Sequence, residues 1–231
     1  MNITITPGSV FRLFLLIIGV LTYLNTLALI FWFEYDNQFH TFIEYFDFGL
    51  EQNIPTLYSV IALAVAATLL AANARHSWEK CDGQHYYWAG LALIFLFLAF
   101  DEGTQIHEMM NNIMEQWVTP KGYLRYLWVL PYGFAVLVIA ALYLRFMIRL
   151  SRASRYRFIL AALIFLVGAI GVEMLSAREA DLIVDNDYTI LYCMLYSLEE
   201  FLEMVGVAVF IYALLNNLDD ESPVIRITLL Q

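Results

Sequence analysis

The segment Asp101-Glu102-Gly103-Thr104-Gln105-Ile106-His107-Glu108 places two acids, a gap of four residues, then a histidine and a third acid. A second acidic group, Glu199, Glu200 and Glu203, lies in Leu198-Glu199-Glu200-Phe201-Leu202-Glu203, with i, i+3 and i, i+4 spacings that share one helix face. Glu173 stands alone at the end of a long apolar run. Carboxylates with an imidazole suit zinc, iron or manganese, and carboxylates alone suit calcium or magnesium. Asp101, Glu102, His107, Glu108, Glu173, Glu199, Glu200 and Glu203 are therefore the candidate ligands of a divalent metal ion. Such an ion activates water for hydrolysis if one coordination position stays open. The Glu-x-x-His pair of di-iron bundles is absent.

Two other chemistries use the same residues. Chains of Asp, Glu and His serve as proton or cation relays in membranes. Buried acids also lock helices together, as neutral acids or paired with a base such as Arg125 or Arg178. Nucleophilic catalysis has little to stand on, because Ser59, Ser176 and Ser197 lack a Gly-x-Ser-x-Gly context. No phosphate-binding loop or dinucleotide fingerprint occurs.

The elements that must hold these residues are membrane helices. The chain is 61% hydrophobic, against about 45–50% in soluble domains. Six apolar runs, at about 10–33, 54–74, 86–106, 127–148, 158–176 and 189–215, have the roughly 20-residue length that crosses a bilayer. Backbone polar groups in lipid must pair within their own segment, so the runs are read as helices. The expected fold is an all-α polytopic bundle of about six transmembrane helices forming one membrane domain over residues 1–231. The first run is too long for a signal-peptide core and reads as a retained span. Asn53 followed by Pro55 is a helix start.

Charge sets the orientation. Arg12, Arg75, Lys80, Arg145, Arg149, Arg152, Arg155 and Arg157 fall at alternate ends of the runs, so one side of the membrane collects them all. By the positive-inside rule that side is cytoplasmic, with both termini, including the tail Asp219–Gln231. Only Lys121, Arg125 and Arg178 fall outside, where 17 of the 22 acids gather. Cys81 and Cys193 are then on opposite sides and form no pair.

Depth makes the acids informative. Asp101 and Glu173 each follow about fifteen apolar residues from the cytoplasmic boundary, which places them roughly 22 Å along a core of about 30 Å. Counting back from Leu215 puts Glu203, Glu200 and Glu199 at about 18–24 Å. Acids within spans are costly and usually face the bundle interior. If the third helix continued unbroken, Glu102 and His107 would lie about 140° apart, and Gly103 is the expected place for a distortion that reconciles them. Gly168 and Gly171, with Ala169, suggest close helix packing. Asn25 is the strongly polar side chain expected deep in a span apart from the acids. Residues Asp36–Gln52 have Phe39, Phe42, Ile43, Phe46 and Leu50 on one face and His40, Glu44, Asp47 and Glu51 on the other. They read as an amphipathic helix on the outer surface, a connector before a cover for the site.

Three stretches, Leu50–Ser59, Phe100–Glu108 and Leu198–Met204, resemble a group of uncharacterised bacterial polytopic inner-membrane proteins carrying the Asp-Glu-x4-His-Glu motif. The resemblance brings no activity with it and implies a bacterial inner membrane. The expected partners are the lipid bilayer and a membrane-protein partner or a second copy of the chain, with no nucleic acid. A non-catalytic accessory or structural subunit of a membrane complex is the alternative to metal-dependent hydrolytic or lipid-modifying chemistry.

Overall fold

A computed structural model describes residues 6–35, 38–183 and 188–221, with the side chains of the last three left aside. Among these residues there are helices and no strands, and the chain is an all-α membrane bundle. Asp36, Asp185, Asp187 and the tail beyond Glu221 lie outside the described residues.

Local signals start the helices where the sequence indicates. Helix α1 (Pro7–Glu34) opens with Thr6 accepting the Ser9 N–H, in a reciprocal capping box, and with proline in its first turn. Helix α3 (Ile54–Glu79) follows a short helix α2 (His40–Phe46) and opens with Asn53 accepting the Thr56 N–H at 3.1 Å. A tight turn with positive φ at Cys81 and Gly83 returns the chain into α4 (His85–Thr104), which packs antiparallel along α3. Helix α5 (Ile106–Met114) follows directly. Helix α6 (Val129–Arg149) meets α7 (Arg152–Leu166) at a corner capped by Ser151. Helix α7 runs through a π-helical segment, Val167–Val172, into α8 (Glu173–Ala180). Helix α9 (Ile190–Glu221) completes the described residues.

Among the described residues, five helical rods are long and apolar enough to cross a membrane: α1, α3, α4, α6 and the 29-residue rod Arg152–Ala180. Helix α9, at 32 residues, is the sixth long helix, and its packing explains its acids. It lies against α1, α3, α7 and α8 at once. The side chains that would be intolerable in lipid therefore face protein. The outer helices present Leu16, Leu93, Leu137, Leu142 and Leu163 outward, as lipid contact requires. Helix α6 joins through aromatic rings: Phe146 packs on Tyr87 and Trp88, Trp88 on Phe158, and Tyr143 donates to the Tyr87 carbonyl at 3.1 Å.

The alternation gives the bundle a basic end, with Arg75, Lys80, Arg145, Arg149, Arg152, Arg155 and Arg157, and an acidic end. Between them Leu70, Phe146, Phe158, Ile211 and Leu214 form a dry layer. Buried polarity is not confined to Asn25 and the acids. Near the basic end Asn217 donates to Asn73 Oδ1 at 2.8 Å and accepts from Ser154 at 3.1 Å, so these amides satisfy one another.

The expected amphipathic helix is helical only over His40–Phe46. Its aromatic face meets α1, where Phe31 contacts Phe39 and Phe42. From Asp47 the chain turns inward as a strap, because buried Asn25 (2% exposed) accepts the Phe48 N–H at 2.9 Å and donates to Ser197 at 2.9 Å. Tyr196 donates to Asp47 Oδ1 at 2.9 Å, and Asn53 donates to the Asp47 and Leu50 carbonyls. The segment is thus a cover held against α1 and α9, and not a surface connector.

Candidate metal centre

A cavity of about 220 Å³ opens at the acidic end, among α3, α4, α6, the α7–α8 rod and α9. All eight sequence-predicted residues line it: Asp101, Glu102, His107, Glu108, Glu173, Glu199, Glu200 and Glu203. The strap adds Glu51. Eight carboxyl groups and one imidazole thus share one space, and among the described residues no lysine or arginine lines it. Arg125 pairs instead with Asp181 at 3.4 Å, and Arg178 stacks on Tyr123 and donates to its hydroxyl. The salt-bridged lock through these arginines is therefore not the arrangement found.

A backbone break gathers the Asp-Glu-x4-His-Glu residues. Helix α4 ends at Thr104, and Gln105 takes the left-handed conformation at φ 59°, ψ 39°. The distortion falls at Gln105 and not at Gly103, so the third helix does not continue unbroken through His107. Left-handed geometry is costly for a residue with a Cβ. It is held by the Gln105 N–H donating to the Asp101 carbonyl at 2.6 Å, and by Asp101 Oδ1 accepting the His107 N–H at 2.8 Å. The carboxylate acts as the N-terminal cap that α5 otherwise lacks.

The break swings His107 back over the cavity. Its Nδ1 stands 3.5 Å from Asp101 Oδ1, and its Nε2 stands 3.4 Å from Glu51 Oε1. Its ring packs edge-on against Trp128 at 5.3 Å between centroids. Burial disfavours a charged imidazole here, but contacts and charge from Asp101 and Glu51 outweigh it and push the pKa up to about 10. Tyr132 donates to Asp101 Oδ2 at 3.0 Å. Glu108 accepts from Asn111 at 3.2 Å, and Asn111 in turn accepts the Trp128 N–H at 3.0 Å.

Deeper in the cavity, Glu173 Oε1 accepts from the Trp128 indole at 3.2 Å. The Ser176 hydroxyl lies 3.3 Å from both Glu173 Oε2 and Glu199 Oε2. One serine hydroxyl thus joins the carboxyls of Glu173 and Glu199. Glu102, Glu200 and Glu203 line the same cavity. Like charges this close require protons or cations between them.

Among the described residues, one group brings three ligand atoms within 4.8 Å of one another, from Glu51, His107 and Glu108. A tetrahedral ion with bonds of about 2.1 Å separates its ligand atoms by about 3.4 Å, the separation found between His107 Nε2 and Glu51 Oε1. Glu51 was legible as part of an amphipathic pattern and of the first stretch that carries the family resemblance, and neither tied it to the cavity. Trp128 arrives from a segment remote from the motif, with no sequence signal that links the two.

The fold and cavity define a class: a polytopic α-helical membrane protein with an acid-lined chamber at one end of its bundle. Within that class, a family model described as a domain of unknown function, DUF8692, matches residues 12–218, and the chain belongs to this family. No curated protein and no solved structure matches it.

Proposed function

We propose that this protein binds a divalent cation in the acidic-end cavity and uses it for hydrolytic chemistry at the membrane surface. The observation that carries the reading is the convergence of Glu51, His107 and Glu108 within 4.8 Å at a cavity lined by six further acids and, among the described residues, by no lysine or arginine. Three protein ligands leave a coordination position for water, which is the arrangement of catalytic rather than structural sites. The neighbouring carboxyls can take up the proton that an activated water releases. Imidazole with carboxylates favours zinc, manganese or iron over calcium.

The protein is further proposed to reside in a bacterial inner membrane as a single membrane domain, with the basic end and both termini in the cytoplasm. The one-sided arginine cluster at the α3–α4 and α6–α7 turns supports this orientation. The cavity then faces the outer leaflet. A cation path across the bundle has less support, because the dry layer of Leu70, Phe146, Phe158, Ile211 and Leu214 separates the acids from the polar groups of the basic end. A purely structural role has one specific observation in its favour: His107 bridges Asp101 and Glu51 without a metal, tying the α4–α5 break to the strap.

Elemental analysis decides between them. The full-length protein is purified in mild detergent without chelator, beside His107→Ala and Glu108→Ala. Near-stoichiometric transition metal in wild type, lost in both variants, supports the metal reading. Folded wild type that holds no metal and takes up none on dialysis against zinc or manganese leaves the structural role.

A further inference from the structure

Of the acids around the cavity, Asp101 differs in what its two oxygens do. It is 5% exposed, and Oδ1 accepts the His107 main-chain N–H at 2.8 Å while standing 3.5 Å from the ring Nδ1. Oδ2 accepts from Tyr132 at 3.0 Å. The opposite ring nitrogen of His107, Nε2, is the one beside Glu51. We propose that Asp101 is not a ligand of the cation but a positioning residue, which holds His107 with Nδ1 as donor and Nε2 directed at the ion.

The chemistry requires such a partner. A neutral imidazole offers a lone pair on one nitrogen only, and the hydrogen bond made by the other nitrogen selects which one. A carboxylate at Nδ1 keeps the proton there, so that a binding ion displaces the proton of Nε2 and coordinates that nitrogen. Asp101 does a second service in the same position, since its bond to the His107 N–H stabilises the left-handed Gln105 that turns the ring toward the cavity. Tyr132 holds the carboxylate in turn, so a chain Tyr132–Asp101–His107 leads from α6 to the ion. Glu51 and Glu108 complete the set from the strap and from α5. The eight residues expected to act alike thus divide, with Asp101 behind the ligands.

This inference rests on the metal reading, and the experiment separates the two. Cobalt(II) is titrated into full-length protein in detergent, and affinity and the visible ligand-field spectrum are recorded for wild type, Asp101→Asn, Asp101→Ala, Tyr132→Phe, His107→Ala and the Asp101→Ala/His107→Ala double variant. Loss of such a supporting carboxylate weakens metal binding about 10–100-fold, and that loss is expected in Asp101→Ala. Asp101→Asn keeps an acceptor for both N–H groups and loses less, and Tyr132→Phe loses less again. At saturating cobalt the band positions of the Asp101 variants match wild type, because the ligand set is unchanged. In the His107→Ala background, removing Asp101 costs clearly less affinity than in wild type, because only its hold on the Gln105 turn is left to lose. Additive losses in the double variant, or bands that shift in Asp101→Asn at saturation, would make Asp101 a ligand and overturn the inference while keeping the metal site. Wild type that shows no cobalt spectrum overturns both. Should Asp101→Ala not fold, Asp101→Asn alone and combined with His107→Ala carries the same comparison.

Discussion

Gly168 and Gly171 lie three residues apart in one π-helical segment, yet they should respond to alanine with opposite signs. A Cβ on Gly168 would lie 2.9 Å from the Glu199 carbonyl oxygen, 3.0 Å from Leu202 Cβ and 3.2 Å from Glu203 Cγ. The nearest of these is backbone, so no rotamer change relieves it, and α9 must move away by several tenths of an ångström. Overpacking of this kind costs about 1–3 kcal/mol. A Cβ on Gly171 meets nothing within 4 Å. There the variant gains from the lower flexibility of the unfolded chain and the better helix propensity of alanine, together about 1 kcal/mol or less. At about 2–4 °C per kcal/mol for a chain of this size, Gly168→Ala should lower the apparent Tm in detergent by about 2–12 °C. Gly171→Ala should leave it unchanged or raise it by up to about 4 °C. Because the contacts at Gly168 are with the α9 turn that carries Glu199 and Glu203, its variant should also weaken metal binding, and Gly171→Ala should not. Equal damage from both substitutions, or a Gly168→Ala protein as stable as wild type, would refute the packing argument.

The strap gives a second prediction. Asn25→Ala removes the partner of the buried Phe48 N–H, at about 1–3 kcal/mol. Cation affinity should fall with it because Glu51 is three residues further along; thermal melts and cobalt titration test both, and unchanged affinity would detach the strap from the site. Burial pushes the Asp47 carboxyl above its ordinary value, against the opposing pull of the Gly49 N–H and the Tyr196 hydroxyl. The native state therefore binds more protons than the unfolded one just above pH 4, and Asp47 costs stability as pH rises through that window. Asp47→Asn keeps an acceptor for both donors, so its stability relative to wild type should rise from pH 4 to pH 7 in paired melts; a flat or falling difference contradicts the assignment. For the orientation, a membrane-impermeant maleimide applied to intact spheroplasts should label a cysteine placed at exposed Trp117 and spare exposed Cys81; the reverse pattern would invert the topology.

Much of this architecture follows from the chain's own chemistry. Long apolar runs have one solution in lipid, so helices were specified without reference to neighbours. The caps at Asn53 and the arginines at alternate ends are local features, read one segment at a time. Depth was legible too, since 1.5 Å per residue brought Asp101, Glu173 and Glu199–Glu203 to one level before any packing was known. What the sequence left open were the relations between segments. Periodicity assumes an unbroken helix, so it could not place the break at Gln105, where a carboxylate four residues earlier stabilises a conformation that the residue itself disfavours. It treated Gly168 and Gly171 alike, because which glycine meets α9 depends on the rotation of one helix against another. It also left Glu51 on a surface pattern, because the bonds that fold the strap inward come from Asn25 and Tyr196, 26 and 145 residues away in the chain. Alignment at one depth is a property of each helix alone. Whether acids at that depth share one cavity, and which one stands behind the histidine, was decided only when the helices packed.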